Sequence, residues 1–136
     1  MKNTEGLVFF HPKNKRGGNT KIAIIGSRNL NVNIENYIPS DTTLIISGGA
    51  KGIDQLAEAY ANKHKIPIQT FLPNYHMYGK AAPLVRNKEI VNACDILIAI
   101  WDGKSKGTKF TIDFALKEGK TVKVYEIKTE EIKAKK

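Results

Sequence analysis

From Lys21 onward, short runs that are apolar at nearly every position alternate with longer segments that are apolar only at helical spacing. A strand that is apolar on both of its faces has to be covered on both, so this alternation points to a parallel sheet with helices on either side. The expected fold class is therefore α/β, with a mainly parallel five-stranded sheet and helices on both faces. The strand segments are Ile22–Ile25, Thr43–Ser47, Ile68–Phe71, Ile96–Trp101 and Val122–Ile127, joined by four crossovers. Gly52–His64 has the clearest helical pattern, with Ile53, Leu56, Ala57, Tyr60 and Ala61 on one stripe and Asp54 where the helix dipole favours a carboxylate. Leu84–Ala93 follows Pro83, a residue suited to a first helical turn, and Thr108–Glu118 stops at Gly119. Asn29–Pro39 carries a shorter and less regular helical pattern, and residues 1–20 offer at most one extra strand.

A chain of 136 residues with 41% hydrophobic content can bury the core of one domain and has no room for a second. The expected organisation is an N-terminal extension over 1–20, the α/β domain over 21–127 and a charged tail over 128–136. The net charge of +9 favours anionic partners. Its distribution matters more: five bases and one acid fall in 1–21, ten and eight in 22–116, and seven and four in 117–136. The excess is thus mostly terminal, where charge runs stay solvated. The single cysteine, Cys94, cannot form an internal disulfide, and the N-terminal apolar run Leu7–Phe10 is too short for a signal peptide or a membrane span. These features predict a cytoplasmic protein with no membrane partner. His11, His64 and His76 show no ligand spacing, so neither a metal nor a resident cofactor is expected.

Three polar or glycine-rich turns follow three different strands: Gly26-Ser27-Arg28, Ser47-Gly48-Gly49-Ala50-Lys51-Gly52 and Asp102-Gly103-Lys104-Ser105-Lys106-Gly107-Thr108. In an open α/β sheet such turns share the carboxyl edge, where ligands bind. Glycines let backbone N–H groups approach an oxyanion, and a following helix points its positive end at it. Any one of these turns could equally be structural; their convergence favours a phosphate site. No turn has the P-loop spacing, and the first lacks the further glycines of a dinucleotide fingerprint. The polar link Asn74–Ala82 adds Tyr78, able to stack on a base or to cover apolar surface, and Lys80, able to meet a phosphate. In the next helix Arg86 and Asn87 form a candidate ligand clamp, with a structural ion pair from Arg86 to an acid such as Asp102 as the competing role.

Lys21–Arg28, Ile46–Ala57, Tyr78–Ala82 with Arg86-Asn87, and Ala93–Thr108 together resemble the small stand-alone YspA-like branch of the SLOG superfamily. That superfamily also includes the DNA-processing protein A and Lonely Guy families. The resemblance implies a Rossmann-like domain, often dimeric, that binds a nucleotide or nucleotide-derived molecule. Carried over by position, the ligand-binding residues are Gly26, Ser27, Arg28, Ser47, Gly48, Gly49, Gly52, Asp54, Arg86, Asn87, Ser105, Gly107 and Thr108, with Asp54 equally able to serve only its own turn. A tryptophan common in the family is Tyr75 here, and a common glycine is Pro83. The enzyme branch uses a Gly-Thr-x-x-Glu turn to cleave an N-glycosidic bond, and the Glu position is Thr111. Hydrolysis would then need Arg86 on the phosphate and Asp102 or Asp113 in place of the missing carboxylate. Two rivals to simple ligand binding stand beside it: a phosphoribohydrolase-like enzyme and a single-stranded DNA-binding protein, for which the basic ends provide non-specific attraction.

Overall fold

The computed structural model describes residues 5–10 and 20–128. Its sheet has six strands: β1 (Glu5–Phe10), β2 (Lys21–Gly26), β3 (Leu44–Ser47), β4 (Ile68–Thr70), β5 (Ile96–Trp101) and β6 (Thr121–Ile127). Their order is β1-β6-β5-β2-β3-β4. The five strands read from the apolar runs are all parallel, and β1 adds an antiparallel edge, with Glu5 opposite Ile127 and Phe10 opposite Val122.

The double-sided apolar character of the strands divides the core by the period of two. Ile22, Ile24, Ile98 and Ile100 face α1 (Ile53–His64), while Ala23, Ile25, Leu97 and Ala99 face α3 (Ala82–Ala93) and α4 (Lys106–Lys117). Each helix follows its own apolar stripe: Ile53, Ala57 and Ala61 are fully buried in α1, and Val91 and Ala115 in α3 and α4. Cys94 closes the second core; its thiol donates to the Val91 carbonyl at 3.4 Å, and burial pushes its pKa up to about 11, so it is a packed apolar group and not a nucleophile.

Two segments differ from the sequence expectation. Asn29–Pro39 is not a helix; only Ile34–Asn36 closes, as a single 3-10 turn capped by Asn33. Asparagines at 29, 31, 33 and 36 compete for local backbone hydrogen bonds, and Pro39 ends any continuation. The segment still buries Ile34, Tyr37 and Ile38 against α1 and is tied to it by the 2.6 Å pair of Lys63 with Glu35. Asn74–Ala82, in turn, is not an open loop. Asn74 caps a four-residue helix, α2 (Tyr75–Tyr78), Gly79–Ala81 forms a 3-10 turn, and α3 starts at Ala82 with Pro83 in its first turn.

Candidate functional site

The chain leaves β2 toward β3 on one side, and leaves β5 toward β6 on the other, although β2 and β5 are neighbours. Crossovers that diverge from adjacent parallel strands open a crevice at their carboxyl ends. A cavity of about 420 Å³ lies there, bordered by the first turn and Asn29, by Ala50 and Asp54, by the start of α3 and by the loop into α4.

Two glycines let the walls approach each other. A Cβ on Gly26 would sit 2.5 Å from the Ile100 carbonyl oxygen and against the Ile53 side chain, so only glycine admits α1 this close to the end of β2. Gly52, the residue before α1, has φ of 76°, and a Cβ there would lie 2.5 Å from the Arg28 carbonyl oxygen. The turn after β3 is thereby locked onto the turn after β2.

The floor is a network of short polar side chains. Ser27 is buried; its N–H donates to the Ile100 carbonyl at 3.1 Å and its hydroxyl accepts the Asp102 N–H at 3.1 Å. Asp102 folds its own loop by accepting the N–H groups of Lys104 and Ser105, both at 2.8 Å. Partial burial works against its charge, yet these two N–H donors, with Ser27 and Asn29, outweigh it and hold the carboxyl below the usual aspartate range. Ser105 then caps α4 by accepting the Thr108 N–H at 3.3 Å. The N–H groups of Lys106 and Gly107 make no hydrogen bond among the described residues, and a Cβ on Gly107 would meet nothing within 4 Å. Thr111, one turn further, is buried with its hydroxyl donating to the Gly107 carbonyl at 2.9 Å.

Arg86 comes from α3 and reaches across the sheet edge. Its Nη1 donates to the Gly48 carbonyl at 2.6 Å and more distantly to that of Phe71, and its Nε donates to Asn87 Oδ1 at 2.8 Å. The ion pair with Asp102, the competing role for Arg86, is not formed. Burial lowers the proton affinity of the guanidinium, and the nearby Asp54 carboxylate opposes that shift. Asp54 itself accepts the Ala50 N–H at 3.0 Å, and its pKa is raised because burial outweighs that bond and Arg86. Both residues border the crevice while also holding the turn after β3. Arg28 differs: it is exposed at the crevice mouth and makes no hydrogen bond or ion pair among the described residues.

Of the residues expected at the site, Gly26, Ser27, Arg28, Asp54, Arg86, Asn87, Asp102, Ser105, Gly107 and Thr108 border the crevice. Ser47, Gly48, Gly49 and Gly52 stand behind it as the scaffold of their turn, Ser47 Oγ accepting the Gly49 N–H at 3.3 Å. Tyr78 and Lys80 are exposed outside it. Asp113 points elsewhere, paired with Lys109 at 2.8 Å on the exposed side of α4. Asn29, Ala50, Pro83, Leu84, Ile90 and Thr111 also border the cavity. Asn29 could have been found by extending the first polar turn by one residue; the apolar ones give no signal distinct from core.

The sheet order and the place of this crevice define a Rossmann-like α/β domain. Residues 20–78 match the YAcAr family model, described as "YspA, cpYpsA-related SLOG family", and this match supports a YspA-like SLOG assignment. The matched span runs from β2 to α2 and includes the turns after β2 and β3. A match to this family is consistent with nucleotide-related ligand binding in general. No curated protein and no solved structure gives a significant match. Among the described residues, no helix is long and apolar enough to cross a membrane, and no group of three or more His, Cys, Asp or Glu could hold a metal ion.

Proposed function

We propose that the crevice binds a phosphate-bearing nucleotide or nucleotide-derived small molecule. The observation that carries this reading is the junction of Arg28, unpaired among the described residues, with the Lys106 and Gly107 N–H groups of α4, likewise without a partner among them, across one cavity of about 420 Å³, a volume within the usual range for small-molecule sites. Neither α3 nor α4 has an acid in its first turn, so the positive helix ends are left for a ligand's anion. Arg28 supplies a planar fork for a phosphate, and Ser105 and Thr108 supply hydroxyls. Asp54 and Arg86 hold the opposite wall in place.

Binding is favoured over glycosidic cleavage by the state of the candidate acids. Thr111 cannot act as a carboxylate, Asp102 is stabilised as the anion by its loop, and Asp113 lies outside the crevice. Calorimetric titration with AMP, GMP, CMP and UMP, each followed by chromatography of the nucleotide, tests both points. Binding with every nucleotide recovered intact is expected. Release of free base would make the protein a hydrolase, and absence of any binding would overturn the reading.

A further inference from the structure

Six large apolar side chains are exposed among the described residues, and five of them fall between Leu72 and Leu84: Leu72 at 66%, Tyr75 at 57%, Met77 at 66%, Tyr78 at 41% and Leu84 at 39%. Neither α2 nor the 3-10 turn after it buries any residue, so core burial does not explain why this segment is apolar. Clustered apolar exposure of this kind marks a surface that something covers. The cluster reaches the crevice at Leu84, which borders the cavity, while the Leu72 side chain lies over Gly49 in the scaffold turn behind it. α2, which carries Tyr75, packs against α3, which carries Leu84 and Arg86.

We propose that Tyr75, Leu84 and their apolar neighbours form a ledge on which the base of the crevice-bound nucleotide stacks, with its phosphate directed toward Arg28 and α4. This inference rests on the function proposed above. The occupant follows from charge as well as from shape. No carboxylate occurs between Glu58 and Glu89, while His76, Lys80, Arg86 and Lys88 fall within or beside the ledge segment. A second copy of the chain docked symmetrically here would bring like charges together. An aromatic ring bearing an anionic group meets the apolar side chains with its face and the cations with its charge. Stacking on tyrosine and apolar side chains is tolerant of base identity, which predicts that having a base matters more than which base it is.

The experiment compares AMP, GMP, CMP and UMP with ribose 5-phosphate, on the wild-type chain and on the double variant Tyr75→Ala, Leu84→Ser. Mass is followed by light scattering and folding by thermal denaturation. Both positions are exposed, so the variant should fold. In the wild type at least one nucleotide should bind about tenfold or more tighter than ribose 5-phosphate, the scale of one stacked base. The double variant should bring that ratio near one without a change in mass. Equal binding of ribose 5-phosphate and nucleotides by the wild type, or a ratio that survives the substitutions, would overturn the ledge and leave the crevice reading standing. So would a variant that loses a dimer while keeping the ratio. If neither ribose 5-phosphate nor any nucleotide binds, the crevice reading falls and the ledge with it.

Discussion

Asp54 and Asp102 are two carboxylates of the same crevice whose surroundings push them in opposite directions. Burial raises the Asp54 pKa above the ordinary aspartate range, whereas the N–H groups of Lys104 and Ser105 overcome burial and lower that of Asp102. Asp102 therefore contributes stability that is present above the unfolded value and lost as pH falls through its depressed folded value. Asp54 has the reverse sign. Between its unfolded value and its raised folded value the native state holds more protons than the unfolded chain, so its contribution to stability declines as pH rises through that window. Asp54→Asn keeps an oxygen for the Ala50 N–H and removes the ionisation. The stability of the variant relative to wild type should thus rise as pH increases through the ordinary aspartate range and above it, measured by urea unfolding at several pH values. A difference that stays flat would mean that Asp54 ionises as freely in the folded chain as in the unfolded one. That Asp54 could serve its own turn was legible in the sequence only as one of two roles, and its bond from the Ala50 N–H shows that role. The partners of Arg86 were not legible, because its bond to the Gly48 carbonyl spans 38 residues and depends on how α3 lies across the sheet edge.

At the level of elements, the five parallel strands were legible because interior strands are apolar on both faces, and α1, α3 and α4 because each buries a periodic stripe. α2 left no such trace: a four-residue helix that buries nothing has no apolar period, and only its Asn74 cap and the following Gly79 mark it. The carboxyl-edge turns were legible as a set, but their division into crevice wall and scaffold was not. The turn after β3 points its glycines at Leu72, Arg86 and the Arg28 backbone, whereas α4 leaves Gly107 in open space. This contrast makes Gly107 the position at which the role of an element can be tested without breaking it. Gly107→Val should change stability by less than about 1 kcal/mol, since helix propensities of the two residues differ by no more than that. It should nevertheless weaken AMP binding about tenfold or more by filling the approach to the α4 N–H groups. Unchanged affinity in a titration of the folded variant would move the phosphate away from α4.

For the whole molecule the deciding quantity is where charge lies relative to the sheet. Residues 22–116 carry ten bases against eight acids, and most of the +9 belongs to the two ends. A single-stranded DNA binder neutralises phosphates along a track, and its affinity falls with salt at a log–log slope of about −0.7 for each phosphate contacted. The crevice is one concave site and meets few phosphates, so strong binding of an oligonucleotide would have to draw on the terminal bases. Deleting residues 1–20 would be a poor test, because β1 pairs along the length of β6 and its removal would expose an edge of the sheet. Neutralising Lys13, Lys15, Arg16, Lys133, Lys135 and Lys136 to glutamine leaves Glu5–Phe10 untouched and removes six positive charges. This variant should lose most of its affinity for a single-stranded oligonucleotide while its AMP affinity stays within about twofold of wild type, since salt screens charges that do not contact the ligand. Fluorescence anisotropy across a salt series checks the first quantity and calorimetry the second. A neutralised chain that still holds the oligonucleotide tightly, with a slope of about −3 or steeper, would be contacting four or more phosphates through the sheet domain itself. Combined with no binding of AMP, that result would replace the small-ligand crevice with a nucleic-acid track.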